Sequence, residues 1–165
     1  MTDRQERPMM QRIRFSLFVA LALFSVEACS MGKLYLFSEV EGVVVIDGKP
    51  VSGATIERDY VWGWNDQRDG DKAVTDAGGA FRMPALTGSS FFASWLPHEP
   101  AIQQKLIIRV GDKSYEGWTS TKPNYTANGE LDGKPLKLRC DLNAEPKRTS
   151  IGGFNRGFFG ICQLL

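Results

Sequence analysis

The stretch Val40–Ile56, VEGVVVIDGKPVSGATI, constrains the fold more than any other part of the chain. A β-branched run, Val43 to Ile46, meets Asp47-Gly48-Lys49-Pro50 and resumes as Val51 to Ile56. Val and Ile favour the pleated strand, whereas Asp-Gly and Pro supply turn dihedrals, so the stretch reads as strand, tight turn, strand. The same pattern continues downstream. Strands are expected at Val40–Ile46, Ala54–Tyr60, Lys72–Thr75, Ala80–Met83, Phe91–Trp95, Gln103–Val110, Lys113–Thr119 and Leu136–Leu142, with Gly111-Asp112 as a two-residue hairpin turn. Strands recurring every 8–12 residues, with no sustained helical period, indicate an all-β sandwich of about seven to nine strands.

The N-terminus reads differently. Arg12 and Arg14 precede an uncharged apolar run, Phe15 to Val26. A basic start, a short apolar core and a small residue before a cut describe a secretory signal. The run is about a dozen residues, short of the ~20 that span a bilayer. Met9 or Met10 would give a cleaner basic start than Met1, because Asp3 and Glu6 fall in the first eight residues. The sequence that closes the signal, Val26-Glu27-Ala28-Cys29, resembles the lipobox of bacterial lipoproteins. The resemblance implies cleavage after Ala28, lipidation of Cys29 and, with Ser30 following, a periplasmic position anchored in the outer membrane. An ordinary cleaved signal with an incidental Cys29 is the alternative. If Cys29 carries lipid, Cys140 and Cys162 remain as a pair in an oxidising compartment, where a disulfide is expected over two free thiols.

Four segments follow: 1–28 signal peptide, 29–38 lipidated terminus and tether, 39–145 sandwich, and 146–165 a Gly-rich aromatic tail held by the disulfide. Leu34 to Phe37 make the tether apolar enough to pack partly on the domain. Without the signal, 16 basic residues face 16 acidic ones. That balance argues against nucleic acid and against polybasic attachment to lipid, leaving the N-terminal lipid as the membrane contact.

A second resemblance rests on Val40-x-Gly42-x-Val44, Asp47-Gly48-Lys49-Pro50-Val51-x-Gly53-Ala54 and Thr75-Asp76-x-x-Gly79-x-Phe81. These look like the carboxypeptidase regulatory-like, transthyretin-like (immunoglobulin-like) β-sandwich. The likeness implies that Asp47-Gly48 and Thr75-Asp76-x-x-Gly79 turn successive hairpins and that Phe81 fills the core. It bears on fold and leaves activity open.

Catalytic signals are sparse. The one histidine, His98, places no Ser-His-Asp or Cys-His relay, and the cysteines form no CxxC pair. Asn65, Gln67, Asp69, Gly70 and Asp76 fall at EF-hand positions 1, 3, 5, 6 and 12, but the bidentate Glu and flanking helices are missing. A solvated turn is expected there, with no metal, no cofactor and no enzymatic activity. Trp and Arg dominate protein-interface hot spots. Tyr60, Trp62, Trp64, Asn65, Asp66, Arg68, Asp69 and Asp71, with His98, therefore form the candidate patch for a protein partner. Burial of the Trp rings in the core is the competing expectation. The overall layout is similar to immunity lipoproteins paired with type VI secreted phospholipase effectors, which implies occlusion of a lipase-type toxin. An assembly lipoprotein of an envelope complex, and a carbohydrate module stacking sugars on Trp62 and Trp64, are the alternatives.

Overall fold

A computed structural model describes residues 33–63, 66–89, 99–152 and 156–165. Phe91–Trp95, expected as a strand, lies outside them. The described residues form an all-β fold of sheets packed face to face. In chain order the strands are β1 (Leu34–Phe37), β2 (Val40–Ile46), β3 (Lys49–Pro50), β4 (Thr55–Trp62), β5 (Gln67–Val74), β6 (Ala80–Met83), β7 (Leu86–Gly88), β8 (Ile102–Val110) and β9 (Lys113–Lys122). A 3-10 turn at Gly129–Leu131 precedes β10 (Leu136–Asp141), β11 (Lys147–Ser150), β12 (Gly157–Gly160) and β13 (Cys162–Leu164). These thirteen strands exceed the expected seven to nine, because several are edge pieces of two to four residues that show too little alternation to read.

A six-stranded antiparallel sheet runs β11-β12-β9-β8-β4-β5. A five-stranded sheet runs β13-β10-β2, with β3 and β6 sharing the far side of β2. β1 and β7 form a separate antiparallel pair.

Val40–Ile46 is a strand with the expected limits, but its partner is not the next long strand. Asp47 and Gly48, with φ of 51° and 74°, make the two-residue turn that requires left-handed backbone at both positions. That turn returns only two residues, pairing Ile46 with Lys49 and Val45 with Pro50. The chain then leaves for the other sheet, where β4 pairs with β5 and β8. The ladder ends with the Val51 N–H, which donates to the Val44 carbonyl at 3.0 Å, because the Val44 N–H is taken by the Gly79 carbonyl at 2.9 Å. Thr75-Asp76-x-x-Gly79 likewise carries the chain from one sheet to the other, where a hairpin was expected. Asp76 Oδ1 accepts from the N–H of Gly78 and Ala80 at 2.8 and 2.9 Å, which fixes the corner.

Alternation sorts the side chains. In β4, Ile56, Arg58, Tyr60 and Trp62 point inward; in β8, Ile102, Gln104, Leu106 and Ile108 do. They meet Val40, Val44, Phe81, Met83, Leu136, Leu138 and Cys140 of the five-stranded sheet, so Phe81 fills the core as expected. Trp118 and Phe158 stack with centroids 4.1 Å apart. Burying each such side chain stabilises by ~1.5–3 kcal/mol.

The described residues of the expected tether and tail belong to the fold. Leu36 and Phe37 of β1 are fully buried. In the tail, β12 joins the six-stranded sheet and β13 the five-stranded one, so the last ten residues lace the two together. Cys140 and Cys162 are directly opposed on β10 and β13 and are joined by a disulfide. Opposite the register shift at Leu106/Ile107, Gly117 is the extra residue of β9, and a Cβ there would lie 2.8 Å from Leu106 and 3.1 Å from Cys162 Sγ. The backbone bulges where the disulfide needs room.

Candidate functional site

The described candidate recognition residues do not share one surface. Tyr60 and Trp62 are 3% and 1% exposed, so neither ring is offered to a partner. This corrects their place in the patch. Trp62 Nε1 donates to Tyr125 Oη at 2.9 Å and the two rings meet edge-on, which keeps a polar atom satisfied inside the core. Trp62 therefore presents no face on which a sugar could stack. Tyr60 Oη accepts from Gln67 Nε2 at 3.1 Å. Burial, and secondarily the charge of Asp69, push its phenol pKa up.

The turn expected over Asn65–Asp71 is mostly strand. Register sets its faces, because opposed residues on antiparallel strands share one. Gln67, Asp69 and Asp71 stand opposite Trp62, Tyr60 and Arg58, on the core side at the sheet edge. Arg68, Gly70 and Lys72 stand opposite Val61, Asp59 and Glu57, on the outer side. Asp71 is committed to structure: Arg58 Nε and NH2 donate to its two oxygens at 2.8 and 2.7 Å. Arg58 is fully buried, donates also to the carbonyls of Ser38 and Pro84, and lies 5.0 Å from the Phe37 ring centroid. A planar fork with five donors suits this site, and an ammonium would not fill it. Asp69 Oδ1 accepts from Gly70 N at 2.8 Å. Asp66 and Arg68 are exposed, Asp66 in a left-handed turn conformation at φ 55°. Trp64, Asn65, His98 and Cys29 lie outside the described residues.

The outer face of β4, β5 and β8 is an ordered charge grid. Glu57 accepts from Lys72 Nζ and from Arg109 Nε, both at 2.7 Å. Those two hydrogen bonds, Lys72 first, hold its carboxyl below the ordinary range. Asp59 and Lys105 are opposed on the same face, and Arg68 extends it to the sheet edge. A shallow depression lined by Glu57, Asp59, Gly70, Asp71 and Lys72 lies between the rows. Among the described residues, no three His, Cys, Asp or Glu side chains are grouped as a metal site would need.

A second polar cluster had no visible signal in the sequence. Ser38, Gln104, Lys122 and Glu130 are each at most 4% exposed. Lys122 Nζ donates to Glu130 Oε2 at 3.0 Å, Ser38 Oγ at 3.1 Å and the Thr126 carbonyl at 2.8 Å. Ser38 Oγ donates to Glu130 Oε2 at 2.6 Å, and Ser38 N and Gln104 Nε2 donate to Oε1 at 2.9 and 2.8 Å. Burial pushes the Glu130 carboxyl up, but the Lys122 charge and the Ser38 and Gln104 hydrogen bonds outweigh it and hold the pKa down. Burial pulls the Lys122 ammonium down against the opposing pull of Glu130.

Serine, lysine and a carboxylate are components from which an activated nucleophile can be built. Here Ser38 Oγ accepts from both Lys122 and the Asn128 N–H, donates to Glu130, and is sealed from solvent. No carbonyl substrate can reach it in this conformation. What the cluster does is tie the start of the domain to β8, β9 and the 3-10 turn. Its members are 92 residues apart at the extreme, and nothing in the local pattern around Lys122-Pro123 marks them.

A family model described as a domain of unknown function, DUF6795, matches residues 40–145. The chain belongs to that family. Comparison with the curated proteins and with the solved structures returned no match.

Proposed function

We propose that this chain is a non-catalytic, lipid-anchored binding protein of the periplasm, and that its partner is a protein met through the outer face of β4, β5 and β8. The observation that carries the reading is the charge grid. Glu57 is clamped between Lys72 and Arg109, and Asp59, Lys105 and Arg68 continue the face on a rigid antiparallel sheet. Pre-ordered charges of both signs steer encounter and select partners while paying little ordering entropy. The lipobox-like Cys29 supports the address. The layout shared with immunity lipoproteins of type VI secreted phospholipase effectors supports a toxic lipase as the partner, held off its membrane substrate by occlusion.

The test is co-expression with a lipase-type effector, sought first as the product of the adjacent gene. Wild-type protein is expected to co-purify with it and protect growing cells. Arg68→Glu with Lys105→Glu, both exposed, is expected to lose both properties with the fold intact by circular dichroism. Equal binding by that double variant would move the interface off this face. A stable complex with envelope proteins and no protection would favour the assembly reading.

A further inference from the structure

The fold starts almost at the proposed anchor, and the end of the domain from which the chain emerges is defined. Leu34 is already buried, opposite Gly88 at the end of β7. A Cβ on Gly88 would lie 2.9 Å from Leu36 and 3.7 Å from the Trp62 ring, and Tyr35 N donates to the Tyr125 carbonyl at 3.0 Å. β1 therefore begins where β4 ends at Trp62, β8 begins at Ile102 and β9 ends at Lys122. From Cys29 to Leu34 is five residues, which fully extended reach at most about 18 Å. The opposite end, with the Asp47-Gly48, Asp76–Gly79 and Gly111-Asp112 turns, is farther by the length of β4, eight residues at about 3.3 Å each, or roughly 25 Å.

We infer that the Tyr35–Tyr125 end of the sandwich rests on the lipid surface, with the charged turns at the other end pointing away. This rests on the lipid-anchored reading of Cys29. Chemistry agrees with reach. Tyr35 is half-buried at the near end, and a phenol with an apolar body and polar tip suits the headgroup layer. Lys33 lies 5.4 Å from the Tyr35 ring centroid, placing one cation beside anionic headgroups. Asp66, Glu99 and Asp132 are exposed near this end, Asp132 paired with Arg156, and Asp47, Lys49, Asp76, Asp112 and Lys113 lie at the far one. The strands of the β4–β5–β8 face then run from the membrane outward. A partner approaching along the bilayer meets that face side-on, and the end bearing Trp62 is closed to it.

The experiment uses full-length protein from bacterial membranes in vesicles of phosphatidylethanolamine and phosphatidylglycerol. One fluorophore is placed on Ala101→Cys, exposed at the near end, or on Asp112→Cys, exposed at the far end, and the vesicles carry a headgroup quencher. The Ala101 label is expected to be quenched several-fold more than the Asp112 label. Equal quenching, or the reverse, overturns the orientation. Mass spectrometry of the Cys29 peptide in the same preparation separates the two failures. Acyl groups with equal quenching overturn the orientation alone, and no acyl groups overturn the anchored reading together with it.

Discussion

At the scale of single residues, the buried charges decide most. Lys122 and Glu130 have fully desolvated side chains at 0% and 1% exposure, so each is tolerated only because the other is there. Replacing Glu130 by Gln leaves an ammonium without its counter-charge and is expected to cost on the order of 3 kcal/mol in urea unfolding at neutral pH. The same carboxyl sets an acid limit. Its folded pKa is held below the unfolded value, so its contribution is complete above the unfolded pKa and is lost as pH falls through the folded one. Wild-type stability is expected to decline from about pH 5 downward, and Glu130→Gln to decline less steeply. Parallel acid limbs in the two proteins would remove Glu130 from the account. Arg58 repeats the logic in β4: an inward position reserved for an apolar side chain carries a guanidinium because Asp71, two carbonyls and the Phe37 ring surround it.

Among elements, β13 depends most on one covalent link. It is three residues long and pairs only with β10 among the described residues. Its disulfide closes a loop with a sequence separation of 22, worth ~3 kcal/mol in the chain-entropy model. Cys140→Ala with Cys162→Ala is expected to lower the unfolding free energy by about that amount, read from urea midpoint and slope together, because the uncrosslinked denatured chain exposes more surface. A change below ~1 kcal/mol would mean that Phe158, Ile161 and the ladder hold the tail without the bond. The expectation of a disulfide-held tail was legible from cysteine number and an expected oxidising compartment. That the tail supplies β11 and β12 to the six-stranded sheet and β13 to the five-stranded one was not, because each is too short to show a period.

For the whole molecule, β5 is an outer edge of the six-stranded sheet, and edges invite pairing with another chain. This one is guarded. Antiparallel pairing of two copies about Gly70 would set Arg68 against Lys72 and Asp69 against Asp71, and pairing about Asp71 would set that carboxylate against its own copy. Asp69 also occupies the Gly70 N–H. Replacing Arg68, Asp69 and Lys72 by Thr together is expected to produce concentration-dependent dimers in sedimentation velocity, beyond any self-association of the native protein in the same run. Failure to do so would place the guard elsewhere, for instance in the twist of the edge.

Local chemistry determined the position of most of the longer strands, the Asp47-Gly48 turn, and the inward set Leu136, Leu138, Cys140 and Leu142. Each of these follows from neighbours within about ten residues, where propensity, period and turn dihedrals act. Only the tertiary structure decided which strands share a sheet: β2 lies parallel to β10, far along the chain, and apart from β4, its neighbour. It also decided that Tyr60 and Trp62 face inward, and that Ser38, Gln104, Lys122 and Glu130 meet. The physical reason is common to all three. Sheet membership and desolvation are set by which distant surfaces close on each other, and a side chain's charge or aromaticity is the same in the sequence whichever way its strand is turned.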